Sequence, residues 1–221
     1  FLHPFISVSI RSDGSGQKLV RHATITGLMA RPIPVEIIPS HVHLSEADFS
    51  TLFGVGHAGT IAMPSSQHGQ YAYAETVEVF GKLKRGLELR VLGPHRRATQ
   101  VELTPTEAAL LGLKAPLARS GDLSEAGSCT LRGPSGDVAA TAAVIVPKPH
   151  LHLSDAEAKS LRLENGQEVT LDILGDTPRT LSGVSVRVHP TYQLRLHLHP
   201  DLARELWLTG VVHARLRESN V

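Results

Sequence analysis

The sequence predicts a mainly β protein with short helices, arranged as two pseudo-symmetric β domains. Three observations lead there. Short apolar runs alternate with period two, Gly- and Pro-containing turns separate them, and one plan of segments occurs twice.

In chain order, the strand candidates are residues 24–28, 34–38, 76–80, 88–92, 138–146, 168–173, 184–188 and 193–197. Turns between them carry Gly93-Pro94 and Pro134-Ser135-Gly136. Helical signals are brief. Ser45 and Ser154 read as N-caps with an acid three residues on (Asp48 and Glu157), each opening a short helix. Thr104-Pro105 and His199-Pro200 open two more, with Pro at the first helical position.

The repeat is the central observation. Pro34-Val35-Glu36-Ile37-Ile38 runs into His41-Val42-His43-Leu44-Ser45, and Ala143-Val144-Ile145-Val146 runs into His150-Leu151-His152-Leu153-Ser154. Later in each half, Gln100-Val101-Glu102-Leu103-Thr104-Pro105 lines up with Arg195-Leu196-His197-Leu198-His199-Pro200. A spacing of about 100 residues exceeds the 20–50 of stacked solenoids, so duplication of a whole β domain fits better.

Composition narrows the function classes. A chain of 221 residues with 22 basic and 21 acidic side chains carries a formal charge of +1, which argues against a general nucleic-acid surface. A single Cys129 excludes an intramolecular disulfide and a Cys-rich zinc site. No apolar run reaches the roughly 20 residues of a membrane span, and residues 1–10 lack the marks of a secretory signal. The unusual count is 13 His.

Their placement carries the chemistry. In a strand, residues i and i+2 face the same side, so His41 and His43 aim at one point, as do His150 and His152. Neutral imidazole is a common zinc ligand. The repeat alignment nominates a third ligand in each half: Glu102 in the first and His197 in the second. Two His plus Glu, and three His, are both three-ligand sets that leave a position open for water or substrate. Ligand type alone would also admit cobalt or iron. Pairing of the two halves through equivalent faces would bring both sites together. His3, His57, His68, His95, His189 and His213 lack such partners and read as surface or hydrogen-bonded residues. The run from Arg90 to Glu102 places His95-Arg96-Arg97 on a Gly-Pro turn just before a proposed ligand. An arginine there either holds a phosphate or forms a solvated surface pair. Ser65-Ser66 and Gly121-Asp122 read as turn residues.

Together, Ile33-Pro34-Val35, His41-Val42-His43-Leu44-Ser45, Ala74-Glu75-Thr76-Val77, Val91-Leu92-Gly93-Pro94 with Arg96, Thr99-Gln100-Val101-Glu102, Ser120-Gly121-Asp122-Leu123 and His150-Leu151-His152-Leu153 resemble the PduL phosphotransacylases, also called phosphate propanoyltransferases. The likeness runs in order from about Pro32 to about Trp207; Tyr71, Tyr73 and Leu151 depart from the usual pattern without touching a proposed ligand. The resemblance implies two small β-barrels capped by short α-helices, with the active site between them. It implies a discontinuous barrel of residues 26–39 plus 148–217, a second of residues 40–147, and an N-terminal extension of residues 1–25. The strands at 34–38 and 143–146 would be exchanged between halves.

The implied activity interconverts acyl-CoA, propanoyl-CoA by the family name, plus phosphate with acyl-phosphate plus CoA, using two zinc ions per chain. His41, His43 and Glu102 would hold the zinc facing the CoA sulfur, and His150, His152 and His197 the water-bearing one. Arg96 would be the catalytic, phosphate-facing arginine. Arg90 and Leu92, one strand period apart, are the expected CoA contacts. The family also implies a homodimer or larger assembly and a place in the bacterial microcompartment lumen, beside shell or lumen enzymes as partners, or in the cytoplasm; charge and the lack of a long apolar run argue against nucleic-acid and membrane partners. Two alternatives stand beside it: a two-metal hydrolase, which would normally show bridging carboxylates, and a duplicated β-barrel binding module with structural metals, which would need a fourth ligand per site.

Overall fold

The duplicated plan folds into two rings of strands. The structure, a computed structural model, describes residues 32–83, 85–175 and 178–217. The strand expected at 24–28, the extension at 1–25, residues 26–31 and His3 lie outside the described residues.

One closed six-stranded barrel is ordered β1 (Ile33–Ile37), β13 (Arg195–Leu198), β10 (His150–Leu153), β12 (Arg179–Val188), β11 (Glu168–Leu174) and β14 (His213–Leu216), which pairs back onto β1. The other is ordered β9 (Asp137–Pro147), β6 (Gln100–Glu102), β2 (His41–Ser45), β5 (Gly86–Arg96), β4 (Tyr71–Phe80) and β8 (Gly127–Arg132). Here β8 closes the ring by pairing with both β4 and β9. Short strands β3 (Ile61–Pro64) and β7 (Leu117–Ala118) flank the second ring.

The rings correspond strand for strand. β2 and β10 each run parallel to one neighbour (β5, β12) and antiparallel to the other (β6, β13). β1 and β9 are exchanged between the rings, as the family resemblance implied. β1 precedes the first His pair yet pairs with β13 and β14. β9 precedes the second His pair yet pairs with β6 and β8.

Period-two alternation builds both cores. On β2, Val42 and Leu44 enter one core with Val79, Val91, Val101 and Leu131. On β10, Leu151 and Leu153 enter the other with Leu171, Val186 and Leu196. Each such side chain contributes roughly 1.5–3 kcal/mol by leaving water. Because the aliphatic residues take the barrel interiors, the alternating histidines point outward, toward the neighbouring barrel, where all but the partly exposed His150 are buried.

Four short helices follow among the described residues: α1 (Glu46–Phe53), α2 (Pro105–Leu111), α3 (Asp155–Leu161) and α4 (Pro200–Glu205). Their expected caps are present. Ser45 Oγ accepts from Asp48 N, Thr104 and Ser154 form reciprocal capping boxes with Glu107 and Glu157, and His199 Nδ1 accepts from Leu202 N. None of these helices is long and apolar enough to cross a membrane.

The Gly93-Pro94 pair corrects one expectation. It is not a turn but part of β5, with a cis peptide bond and a register slip against β2 beside it. A Cβ at Gly93 would sit 2.2 Å from the Tyr71 ring, so the strand passes only without a side chain. Arg96 therefore ends a strand, opposite Ser45, rather than crowning a loop.

Candidate functional site

The two H-x-H strands and the two strands beside them, β6 and β13, deliver six side chains in two groups. His41, His43 and Glu102 form one, and His150, His152 and His197 the other; within each group the ligand-type atoms lie within 4.8 Å of one another. Cross-strand register places them. Glu102 lies opposite His41, and His197 lies opposite His150. All six line one cavity between the barrels.

The backbone sets the ring orientations. His41 Nδ1 donates to Pro39 O at 2.8 Å, and His150 Nδ1 donates to Lys148 O at 2.9 Å. A carbonyl only accepts, so in each neutral ring the proton sits on Nδ1 and the Nε2 lone pair is free. In the first group His41 Nε2 lies 3.1 Å from His43 Nε2 and 3.6 Å from Glu102 Oε2. Among the described residues several buried nitrogens have no hydrogen-bond partner: His43 Nδ1 and both nitrogens of His152, while His197 Nε2 has only the Glu36 carboxylate at 3.2 Å. Lone pairs converging at such distances, with polar atoms left orphaned around them, fit a cation better than they fit one another. In both groups the residues present therefore suit a divalent metal with imidazole affinity.

Electrostatics agree with that fit. Burial pushes His150 down to about 3, with His197 adding to it. Burial also drives His43 and His152 well below the ordinary histidine range. Neutral rings are the form that ligates. Burial works against ionising Glu102, but His41, His43, the Ser120 hydroxyl and Arg96 outweigh it and hold the carboxyl at about 2.

Arg96 is partly buried at the cavity wall, where its Nη1 donates to Ser120 Oγ at 3.2 Å. Arg187, opposite His152 in the β10–β12 ladder, lines the same cavity. Neither arginine makes an ion pair among the described residues, so two guanidinium groups face the cavity without a partner anion. Leu92 lines the cavity, whereas Arg90 lies outside the lining, with Nη1 donating to Tyr73 O (2.7 Å) and Ala74 O (3.3 Å). Cys129 is buried in a barrel core and its thiol is pushed up to about 12, which removes it as a nucleophile.

Four of the histidines outside the two groups are hydrogen-bonded as expected: His57 with Glu75 at 2.7 Å, His68 with Gln193 at 2.7 Å, His189 with Thr191 at 2.9 Å and His95 with the Tyr73 hydroxyl at 3.4 Å. Sequence reasoning missed Arg187, Tyr192, Gln100 and Glu36. Tyr192 stacks on His152, Gln100 bonds Glu102, and Glu36 Oε2 reaches within 3.2 Å of His197 Nε2 from the exchanged strand. The Gln100-x-Glu102 spacing was the one available signal, since i and i+2 share a face.

A family model described as phosphate propanoyltransferase matches residues 34–208. A phosphate propanoyltransferase of Escherichia fergusonii is 38% identical over 174 residues, covering 78% of this chain and 82% of that protein. One from Shewanella putrefaciens is 36% identical over 187 residues, covering 84% and 88%. One from Salmonella typhimurium is 36% identical over 174 residues, covering 78% and 82%.

Proposed function

The chain belongs to the phosphate propanoyltransferase family, which makes it an acyltransferase, and on that premise we propose that it interconverts acyl-CoA plus phosphate with acyl-phosphate plus CoA at a two-zinc site. The single observation that carries this reading is the convergence of two three-ligand groups and two unpaired arginines on one cavity between the barrels. His41, His43 and Glu102 would hold one zinc ion and His150, His152 and His197 the other. When bound, zinc supplies Lewis acidity that favours a thiolate leaving group and lowers the charge on nearby oxygens.

The chain's own residues do the rest. Arg96 and Arg187 bind and orient the phosphate dianion by charge-assisted hydrogen bonds. A phosphate oxygen then attacks the thioester carbonyl carbon; the C–O bond forms, the C–S bond breaks, and CoA leaves as its thiolate. Barrel walls keep bulk water from competing as nucleophile. With Cys129 buried and protonated, no thiol of this chain stands ready for a covalent acyl-enzyme, and direct attack fits that. Leu92 at the wall and Arg90 two residues along the same strand are the proposed CoA contacts. Each group offers three ligands among the described residues, which favours an open catalytic position over a closed structural site. A homodimer, in a bacterial microcompartment lumen or the cytoplasm, belongs to the same proposal and rests on the family resemblance.

The test is thiol release from propanoyl-CoA with and without phosphate, before and after chelation, alongside zinc per chain. Phosphate-dependent release that chelation abolishes, with about two zinc per chain, supports the reading. Release without phosphate would make the protein a thioester hydrolase; bound zinc with no release would favour a binding module.

A further inference from the structure

We infer that Gln100 is a positioning residue that ties the Glu102 carboxylate and the Arg96 guanidinium into one arrangement through Ser120. This rests on the reading above of Glu102 as a zinc ligand and Arg96 as the phosphate-facing arginine.

Gln100 is 1% exposed and lies on β6, two residues before Glu102 on the same face. Its Nε2 donates to Glu102 Oε1 at 2.6 Å and to Ser120 Oγ at 3.0 Å, and its Oε1 accepts from Gly121 N at 2.7 Å. The amide can adopt only this orientation. A backbone N–H only donates, so the oxygen must face Gly121; an ionised carboxylate only accepts, so the NH2 must face Glu102. Both hydrogens and the oxygen are thus engaged, and none is left for solvent.

Ser120 carries the connection onward. Its Oγ accepts from Gln100 and from Arg96 Nη1 at 3.2 Å. The hydroxyl therefore stands between the amide that holds Glu102 and the guanidinium that faces the cavity. A shift of the Gln100 amide moves both a ligand oxygen of the first group and the anchor of Arg96.

The other barrel supplies a comparison. Gln100 lies opposite His43, and the residue opposite His152 at the matching place is Arg195. Where the third ligand is an anion, Glu102, its neighbour is a donor amide aimed at it. Where the third ligand is His197, the equivalent neighbour is an arginine whose Nε lies 3.9 Å from Glu36 instead. The amide accompanies the carboxylate, not the fold position. Partners that orient a metal ligand typically change metal affinity or activity about 10- to 100-fold when removed.

The experiment uses the full chain loaded with zinc and titrated against a chromophoric chelator, with KM measured separately for phosphate and propanoyl-CoA. Gln100→Met keeps volume and removes all three hydrogen bonds. It is expected to weaken one of the two zinc ions about 10-fold or more, leave the other unchanged, and raise KM for phosphate but not for propanoyl-CoA. Ser120→Ala leaves the Gln100–Glu102 bond in place but takes the hydroxyl from both Arg96 and Glu102; it is expected to raise KM for phosphate and to weaken the zinc of the first group less than Gln100→Met does. Two zinc ions of native affinity in Gln100→Met overturn the inference, as does equal weakening of both. Should Gln100→Met fail to fold, unchanged phosphate KM in Ser120→Ala overturns it alone. Glu102→Gln separates the premises: if that variant also keeps both zinc ions, the ligand reading of Glu102 fails; if it loses one while Gln100→Met does not, only the positioning role fails.

Discussion

Tyr192 lies flat against His152, ring centroids 3.8 Å apart and 11° from parallel. Among the described residues His152 finds no hydrogen bond at either nitrogen, and this stacking is the contact that holds the ring's plane. Replacing Tyr192 with Leu should weaken zinc at the second group about fivefold, the equivalent of about 1 kcal/mol of aromatic contact. Tyr192→Phe keeps the stack and should bind zinc as the parent does. Chelator competition on both variants reads the difference.

Among the described residues Arg96 has no carboxylate partner within ion-pair distance, and its hydrogen bond runs to Ser120. Arg96→Ala should lower turnover about 100-fold while both zinc ions remain, because the group acts on developing charge rather than on the metals. Arg96→Lys should recover little, since a point charge cannot reproduce two parallel hydrogen bonds. Metal content and turnover measured on the same preparation check both statements. Near-normal turnover in Arg96→Ala would remove its phosphate role.

Acid should destabilise the metal-free protein before it touches most carboxylates. Burial holds His150 near 3 and His152 lower still, against an unfolded value of 6.5. The unfolded chain takes up protons below pH 6.5 that the folded chain refuses, so stability falls as pH drops from 6.5 toward about 3. The slope approaches about 1.4 kcal/mol per pH unit for each such ring. Urea unfolding of metal-free protein at pH 7, 6 and 5 measures it, and His150→Gln should make the dependence shallower.

The cap of α2 offers a test of fold rather than chemistry. Thr104 Oγ1 accepts from Glu107 N at 3.2 Å, while the Glu107 carboxylate takes Thr104 N and the Ser40 hydroxyl. Thr104→Ala should cost about 1 kcal/mol in urea unfolding and leave zinc content at the parent level.

What the sequence made legible was local. The His pairs and the four caps follow from spacings of a few residues and from the repeat, whereas the exchanged strands were legible only through the family resemblance. Strands β3, β7, β8 and β14 escaped notice for physical reasons. β7 has two residues, β14 has four with an arginine among them, and β8 alternates inward with Gly127, Cys129 and Leu131, which barely registers as apolar periodicity. The site residues that escaped share another cause. Arg187 meets the cavity because it lies opposite His152, and Ser120 meets Arg96 from a turn far along the chain. Cross-strand register and loop return are set by the closed barrels, not by any neighbour in sequence. The Gly93-Pro94 pair misled for the opposite reason: its turn chemistry is real, but Tyr71 packing keeps it inside β5.

The exchange of β1 and β9 makes each half depend on the other. One repeat alone would form five strands with an open edge, and its leading strand would have no place in its own ring. Two copies complete each other reciprocally. A half made as a separate chain would therefore need a second copy to close its barrel, each member lending the other its leading strand. Within one chain that partnership is permanent, and the two halves need not be identical: Glu102 stands in one where His197 stands in the other.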